Sequence, residues 1–518
     1  MKGIKLRNYH AAKYDEPIIM EMSVPGRRGI LVPPVDAAIH GVVPSAEELV
    51  PPAARRVHSP ALPEIDQYHA LMHFLRLSQM TLGMETGIDI GEGTCTMKYS
   101  PKVNDQLARL PQMTEVHPSQ PEETLQGILQ IIWELESYLK AVSGMDAFSF
   151  QTGGGAHATY VNACVTRRYH QDRGDLARRT EVITTQFTHP CNAATPATAG
   201  FKVIILPQKN GYPDIEALKS IVSEKTAALH MTNPEDTGIF NPKVDEFTKI
   251  VHDAGGLCFY DQANANGLLG IARAREAGFD ACHFNLHKTF SSPHGCEGPA
   301  AGAYGCTEAL LPYLPAPLVV RRGDSFHLDY DRPKSVGKVR SYLGNLEVIL
   351  KAYSWIRTMG PEGLKTAAEV SVLNNQYLEH LLMQIDGVSR PFAEGHRRFE
   401  QIRFSMEKLK EDTGFGSHEI QNRMVDFGIQ SYWLSHHPFV VPEPFTPEPC
   451  ESYSKEDIEY WATAIEQACR EARETPEVIE TAPHRQAVNQ IKDFSQAEDP
   501  DRWAITWRAF QKKRNGRR

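Results

Sequence analysis

The chain has 518 residues, 41% of them hydrophobic and 23% charged, with a formal net charge of −9; the length exceeds what one hydrophobic core sustains, and the composition excludes a fibrous array or long disorder. The acidic balance excludes general attraction to nucleic acid or to an anionic membrane surface. Nine scattered cysteines without a C-x-x-C pair read as reduced thiols, and neither His189 with Cys191 nor Cys282 with His283 finds a second cluster to complete a metal site.

Taken in chain order, the N-terminal Met-Lys-Gly-Ile-Lys-Leu-Arg lacks the apolar run of a signal peptide, and no stretch reaches membrane-span length, so a cytoplasmic protein is expected. Residues 1 to about 65 are proline-rich and broken by Val24-Pro-Gly-Arg-Arg-Gly29 and Val32-Pro-Pro34, which reads as an extended arm wrapping a neighbour within an N-terminal region, arm plus helices, that ends near residue 100. From Glu122 apolar residues recur at helical spacing until Gly144, predicting a long helix closed by glycine. Strands are predicted at Ala147–Gln151, Glu181–Thr185, Val203–Leu206, Ala227–Thr232, Leu257–Tyr260 and Ala281–Asn285, mostly separated by helix-length segments. That rhythm predicts a large α/β domain over 101–330 with a mainly parallel sheet and helices on both faces. The pattern changes near Asp329-Tyr-Asp-Arg-Pro-Lys334, and a smaller α+β lobe is expected over 331–485, followed by a tail over 486–518 that is basic and mixed from Trp503 onward.

The strand ends carry the chemistry. Gln151-Thr-Gly-Gly-Gly-Ala-His157 joins a strand to a helix, where a backbone without side chains can approach a phosphate and the helix N-terminus offers free N–H groups; a glycine triplet alone equally marks a tight turn. His157 then stands where an imidazole could lie flat on a ring, or simply bond backbone. Thr188-His-Pro-Cys-Asn192, holding Thr188, His189 and Asn192, follows the next strand as a loop suited to substrate. Thr232-Asn-Pro234 offers the Asn233 amide to a phenolic oxygen, although an Asn-Pro turn explains it nearly as well. Asp261 ends one strand and Lys288 follows the next, twenty-seven residues later. A lysine amine to hold an aldehyde as a Schiff base and a carboxylate to keep a pyridine nitrogen protonated are the pair that pyridoxal 5'-phosphate (PLP) requires. The polar loop Ser291-Ser-Pro-His-Gly-Cys-Glu-Gly298 is placed to close over a bound amino acid.

Asn285-Leu-His-Lys-Thr-Phe-Ser291 followed by Pro-His-Gly resembles the lysine motif of the glycine cleavage P-protein, specifically its separate second subunit. Cys95-Thr-Met-Lys-Tyr99, Val116-His-Pro118, Gln120-Pro-Glu-Glu-Thr124, Tyr260-Asp261 with Ala263-Asn264, Leu328-Asp-Tyr-Asp-Arg-Pro-Lys-Ser335, Arg357-Thr-Met-Gly360 and Ala482-Pro-His484 extend the similarity over most of residues 20 to 490. The resemblance implies a PLP-dependent transferase of fold type I with a mainly parallel seven-stranded sheet. It implies a glycine decarboxylase that releases carbon dioxide and passes an aminomethyl group to a lipoyl carrier protein, acting beside a homologous first subunit or a second copy of itself. Transferred by position, Lys288 is the Schiff-base lysine with His287 beside it, Asp261 is the pyridinium partner, His157 stacks on the ring, Gly154, Gly155 and Ala156 lie near the phosphate, and Asn233 and Ala263 complete the cofactor set. The departures fall on substrate-facing positions: Gly295-Cys-Glu-Gly298 replaces a run of four glycines, bringing in Cys296 and Glu297, and Cys191 enters the loop after Thr188. A carboxylate beside a glycine carboxylate repels it, which keeps open a divergent PLP paralogue that decarboxylates, condenses or eliminates on another amino acid. A non-catalytic homologue is the third reading, against which the retention of both Lys288 and Asp261 argues.

Overall fold

A computed structural model describes residues 3–58, 60–83, 86–91, 98–293, 300–429, 440–487 and 506–516. The chain divides into two compact units, Met1–Arg7 with Gly87–Ala482, and Asn8–Thr86 with Pro483–Arg518.

In the larger unit the sheet is preceded by helix α1 (Gln126–Ser143), whose Ile128, Leu129, Ile132, Leu135 and Leu139 recur every three or four residues and are buried. Gly144 ends it in the left-handed conformation, φ 75°. Then strands and helices alternate: β1 (Ala147–Ser149), α2 (Gly155–Asp172), β2 (Glu181–Thr185), α3 (Cys191–Thr198), β3 (Lys202–Leu206), β4 (Thr226–Thr232), α4 (Val244–Asp253), β5 (Leu257–Gln262), β6 (Ala281–Asn285) and β7 (Gly302–Cys306). They form one seven-stranded sheet in the order β1-β7-β6-β5-β4-β2-β3. β3, β2, β4, β5 and β6 pair in parallel, while β7 runs antiparallel to both β6 and β1. The mainly parallel, seven-stranded prediction is therefore met. The strand absent from the sequence reading is β7, Gly-Ala-Tyr-Gly-Cys: glycine and alanine carry little strand signal, and a Cβ on Gly305 would collide with the Phe148 ring. Parallel strands covered on both faces read as apolar runs, and here one face packs with α1 through Phe148, Ile183, Leu229, Tyr260 and Phe284, the other with α2 through Val161, Val165, Val182, Ala228 and Phe259.

After the sheet, α5 (Leu346–Leu382) is two helices joined at Gly360, φ 63° and ψ 179°, with Pro361 starting the second. A second core gathers Leu378, Leu382, Phe404, Phe445 and Trp461 around the antiparallel pair β8 (Phe404–Ser405) and β9 (Pro444–Phe445) and helix α6 (Lys455–Glu474). In the smaller unit the helix Gln67–Gln79 is capped by Asp66 and anchors Glu16 through His73 at 2.8 Å and Arg76 at 3.2 Å. Its arm leaves apolar side chains in solvent, Leu31 at 82% and Val57 at 88% exposure. The helix Trp507–Gly516 belongs to the same unit, where Arg514 pairs with Glu21. Among the described residues no helix is long and apolar enough to cross a membrane.

Candidate active site

β1 hands over to α2 through Gly153 and Gly154, and the backbone there leaves little room for side chains. A Cβ on Gly153 would stand 3.0 Å from Arg340 Nη1, and one on Gly155 3.0 Å from Asn285 Nδ2. Gly154, at φ 156° and ψ −173°, occupies a region that only glycine adopts without strain. These glycines open an 18-residue helix, whose first N–H groups and dipole favour an anion. His157 Nδ1 accepts from the Gly153 N–H at 3.1 Å. Burial, reinforced by the Arg340 guanidinium, lowers the pKa of this half-buried imidazole and favours its neutral form. A cavity of about 650 Å³ is lined by Leu125, Tyr330, Tyr342 and Arg340, the last of which also approaches Gly153.

Asp261 lies on β5 and is fully enclosed. Its Oδ2 accepts from Asn192 Nδ2 at 2.6 Å, and its Oδ1 accepts from the Ala263 N–H at 3.0 Å and lies 3.3 Å from His283 Nε2. Burial by itself opposes ionisation, but the His283 and His189 imidazoles and the two hydrogen bonds outweigh it and hold the carboxyl below the usual carboxylate range. His230, on the neighbouring β4, is pushed down to about 3 by burial and so stays neutral, with Nε2 2.9 Å from Asn162 Nδ2.

Lys288 follows β6 in a tight turn. Its N–H donates to Asn285 O at 3.1 Å, Ser291 N–H donates to Lys288 O at 3.2 Å, and the side chain is buried. The turn is fastened on two sides: Thr289 Oγ1 accepts from the Ala265 N–H at 2.9 Å, and His287 Nδ1 sits 3.0 Å from the Ala301 carbonyl. His283 and Cys191 each interact electrostatically with both Asp261 and Lys288, which places the carboxylate and the amine in one buried neighbourhood at the carboxyl ends of β5 and β6.

The structure redistributes several predicted roles. Asn192, expected to face substrate, spends its amide on Asp261 and on Thr188 Oγ1 at 2.7 Å, while Thr188 Oγ1 is 2.7 Å from Thr232 Oγ1; the loop after β2 lies beside β4 and β5, so it supports the carboxylate. His189 adds electrostatic support to Asp261, and its Nδ1 accepts from the Cys191 N–H at 3.1 Å. Asn233, expected to reach a phenolic oxygen, bonds the backbone of Asn241 in both directions, at 2.7 and 3.2 Å. These two bonds close the loop that follows β4. The Ala263 N–H serves Asp261, whereas the Ala156 side chain is exposed at the helix start. Cys296 and Glu297 lie outside the described residues. Cys191 is buried with Sγ 3.6 Å from Thr159 Oγ1, and burial pushes its thiol far up, so it is not a nucleophile at neutral pH.

Sequence reasoning missed His230, Asn264, Arg340 and Glu448; His283 lay inside the lysine run and was quoted there without a role. A histidine on each of β4 and β6, pointing to the side of Asp261, was a signal in reach; Glu448, in Pro447-Glu448-Pro449, offered none. Among the described residues one group has metal-ligand geometry, His252, Cys258 and Asp280. It lies at the amino edge of the sheet, with His252 Nε2 2.8 Å from Asp280 Oδ2 and the Cys258 S–H directed at Thr248 O.

These residues fit PLP. The donor set offers a buried amine, a buried carboxylate kept ionised and a Cβ-free helix N-terminus, and beside them Thr152 Oγ1, Asn192 Oδ1, Asn285 Oδ1 and His283 Nδ1 are buried polar atoms with no hydrogen-bond partner, the groups a polar ligand would satisfy. The family model for class V aminotransferases matches residues 149–297, the stretch from the glycine turn through the lysine. Among solved structures, a glycine decarboxylase (P-protein) of the glycine cleavage system, in inhibitor-bound form, superposes with a TM-score of 0.65 at 20% identity over 82% of this chain and 93% of that one. A cysteine desulfurase from Escherichia coli does so at 0.57 and 15% identity, over 74% and 95%. The fold is thus that of the type I PLP-dependent enzymes. The "Probable glycine dehydrogenase (decarboxylating) subunit 2" of Pyrococcus horikoshii is 41% identical over 97% of this chain and 98% of its own length. Its namesake in Halalkalibacterium halodurans is 39% identical over 94% and 97%. At that identity over nearly the whole of both chains, the protein belongs to the glycine dehydrogenase (decarboxylating) subunit 2 family.

Proposed function

We propose that this chain is the lysine-bearing subunit of a PLP-dependent glycine decarboxylase, releasing carbon dioxide from glycine and passing the aminomethyl group to a lipoyl carrier beside a homologous first subunit. The observation that carries the reading is the buried neighbourhood shared by Lys288 and the ionised Asp261. When bound, PLP supplies an electron sink for the pair left behind by the departing carboxylate. The chain's own residues do the rest. Lys288 Nζ would hold the aldehyde carbon, and Asp261, oriented by Asn192 and Ala263, would keep a proton on the ring nitrogen. Gly154, Gly155 and Ala156 would present backbone N–H groups to the phosphate, and the neutral His157 would lie against the ring. His287, latched to Ala301, would fix the turn that aims Lys288. Seven free cysteines among the described residues accord with a reducing, cytoplasmic setting.

The alternative reading, a paralogue that decarboxylates, condenses or eliminates on another amino acid through the altered loops at Cys191 and Cys296, draws no support from Cys191, whose thiol burial keeps protonated; Cys296 lies outside the described residues. Borohydride reduction of the PLP-loaded protein should leave a pyridoxyl label on Lys288, and with the first subunit and a lipoyl carrier present, labelled carbon dioxide should exchange into the carboxylate of glycine. A label at Lys288 with exchange into another amino acid would move the substrate assignment; an unlabelled Lys288 would end the cofactor reading.

A further inference from the structure

Behind Lys288 lies a second constellation. The loop after Asp261 is stitched by its own backbone: Ala263 N–H to Asp261, Ala265 N–H to Thr289 Oγ1 and Asn266 N–H to Asn264 Oδ1, the last at 2.9 Å. From the far end of the chain Glu448, fully buried, receives both side-chain amides of that loop on Oε1, Asn264 Nδ2 at 2.6 Å and Asn266 Nδ2 at 2.7 Å. A second buried carboxyl, Glu400, presses on the same loop, because a Cβ on Gly267 would collide with its Oε2. Glu448 interacts electrostatically with Glu400 and with Lys288, and Lys288 interacts with Cys191 and His283 as well. Glu451, three residues on, is already paired with Lys98 at 2.9 Å.

We propose that Glu448 is a positioning residue for Lys288: clamped by Asn264 and Asn266, it fixes the loop between Asp261 and the lysine turn and is the counter-ion of the lysine amine whenever that amine is free and protonated. The inference rests on the cofactor reading above. A lysine that alternates between holding a cofactor and standing free gains and loses a positive charge, and an interior site must answer that change. An acid pair does so. Burial first, then repulsion by Glu400, raises Glu448 well above the ordinary carboxyl range, and burial raises Glu400 to about 7, so the pair holds a proton while Lys288 is uncharged and can give it up when Lys288 is charged.

The test uses the full chain, freed of PLP, with acetylation of Lys288 followed by mass spectrometry across a pH series. Glu448→Gln keeps an oxygen for the two asparagines and removes the counter-charge, so the Lys288 midpoint should fall by about one pH unit, roughly tenfold faster labelling on the acid side. Glu400→Gln removes the group that repels charge from Glu448 and should leave the midpoint in place or raise it. A midpoint unchanged in Glu448→Gln, or lowered equally by both substitutions, overturns the assignment; if Glu448→Gln does not fold, a lowered midpoint in Glu400→Gln does so alone. Borohydride labelling of wild type with PLP is run in parallel, so that a missing pyridoxyl label condemns the cofactor reading and an unmoved midpoint condemns Glu448 separately.

Discussion

Asp261 shows how a single residue's chemistry is set by what surrounds it. A carboxylate enclosed in protein is ordinarily driven to protonate; here two imidazoles and two hydrogen bonds reverse the direction. Asn192→Ala removes the donor to Oδ2, and a hydrogen bond to a charged group is worth about 1.5–3 kcal/mol, so PLP should be retained roughly ten- to a hundredfold more weakly in equilibrium dialysis. The same substitution changes acid sensitivity. A depressed folded pKa stabilises above the unfolded value and loses that contribution as pH falls through the folded value, so Asn192→Ala should unfold at a higher pH than wild type when acidified. Glu235 carries the opposite sign. Burial raises it from 4.5 to about 8, so its cost to the folded state grows as pH climbs between those values. Thermal melts should show stability declining over that interval, and Glu235→Gln should flatten the decline.

At the level of elements, the glycine that closes α1 and the turn that opens α2 have different tasks. Gly144 holds a left-handed φ of 75°, and a Cβ there would come within 2.6 Å of Arg275 Cβ. Gly144→Ala should cost ~1–3 kcal/mol from strain and displacement together, read as a lower melting temperature with PLP affinity little changed. Five parallel strands were legible because each is an apolar run ended by turn residues. β7 was not, since Gly305 makes room for the Phe148 ring and Gly302 for Thr152 and the Gly154 carbonyl. The loop after β4 was legible as a turn but not in its purpose: Gly238, φ 76°, lies under the Gln401 carbonyl, and Arg403, just before β8, reaches Asp236 at 3.4 Å.

For the whole molecule, the arm between Ile30 and Val57 bears apolar side chains in solvent, Val42 among them at 84% exposure. Apolar side chains left in solvent suit a covering partner, in keeping with the expectation from the sequence of an arm wrapping a neighbour. Hydrogen exchange over residues 30–57 should slow when the homologous first subunit is added. Protection that depends only on this chain's own concentration would assign the arm to a second copy.

The lysine run, the aspartate before it and the glycine turn are local patterns, and each names its chemistry from adjacent residues because cofactor attachment, ring protonation and phosphate approach are tasks of one strand end apiece. Sequence alone therefore pointed to the cofactor, the sheet class and the family. Which carboxylates are charged, which amides are free and which thiol is inert were decided only by tertiary structure. Desolvation and Coulomb forces act between residues close in space and remote in the chain: Glu448 meets Asn264 across 184 positions and Asn192 meets Asp261 across 69, separations at which no periodicity or motif carries a signal.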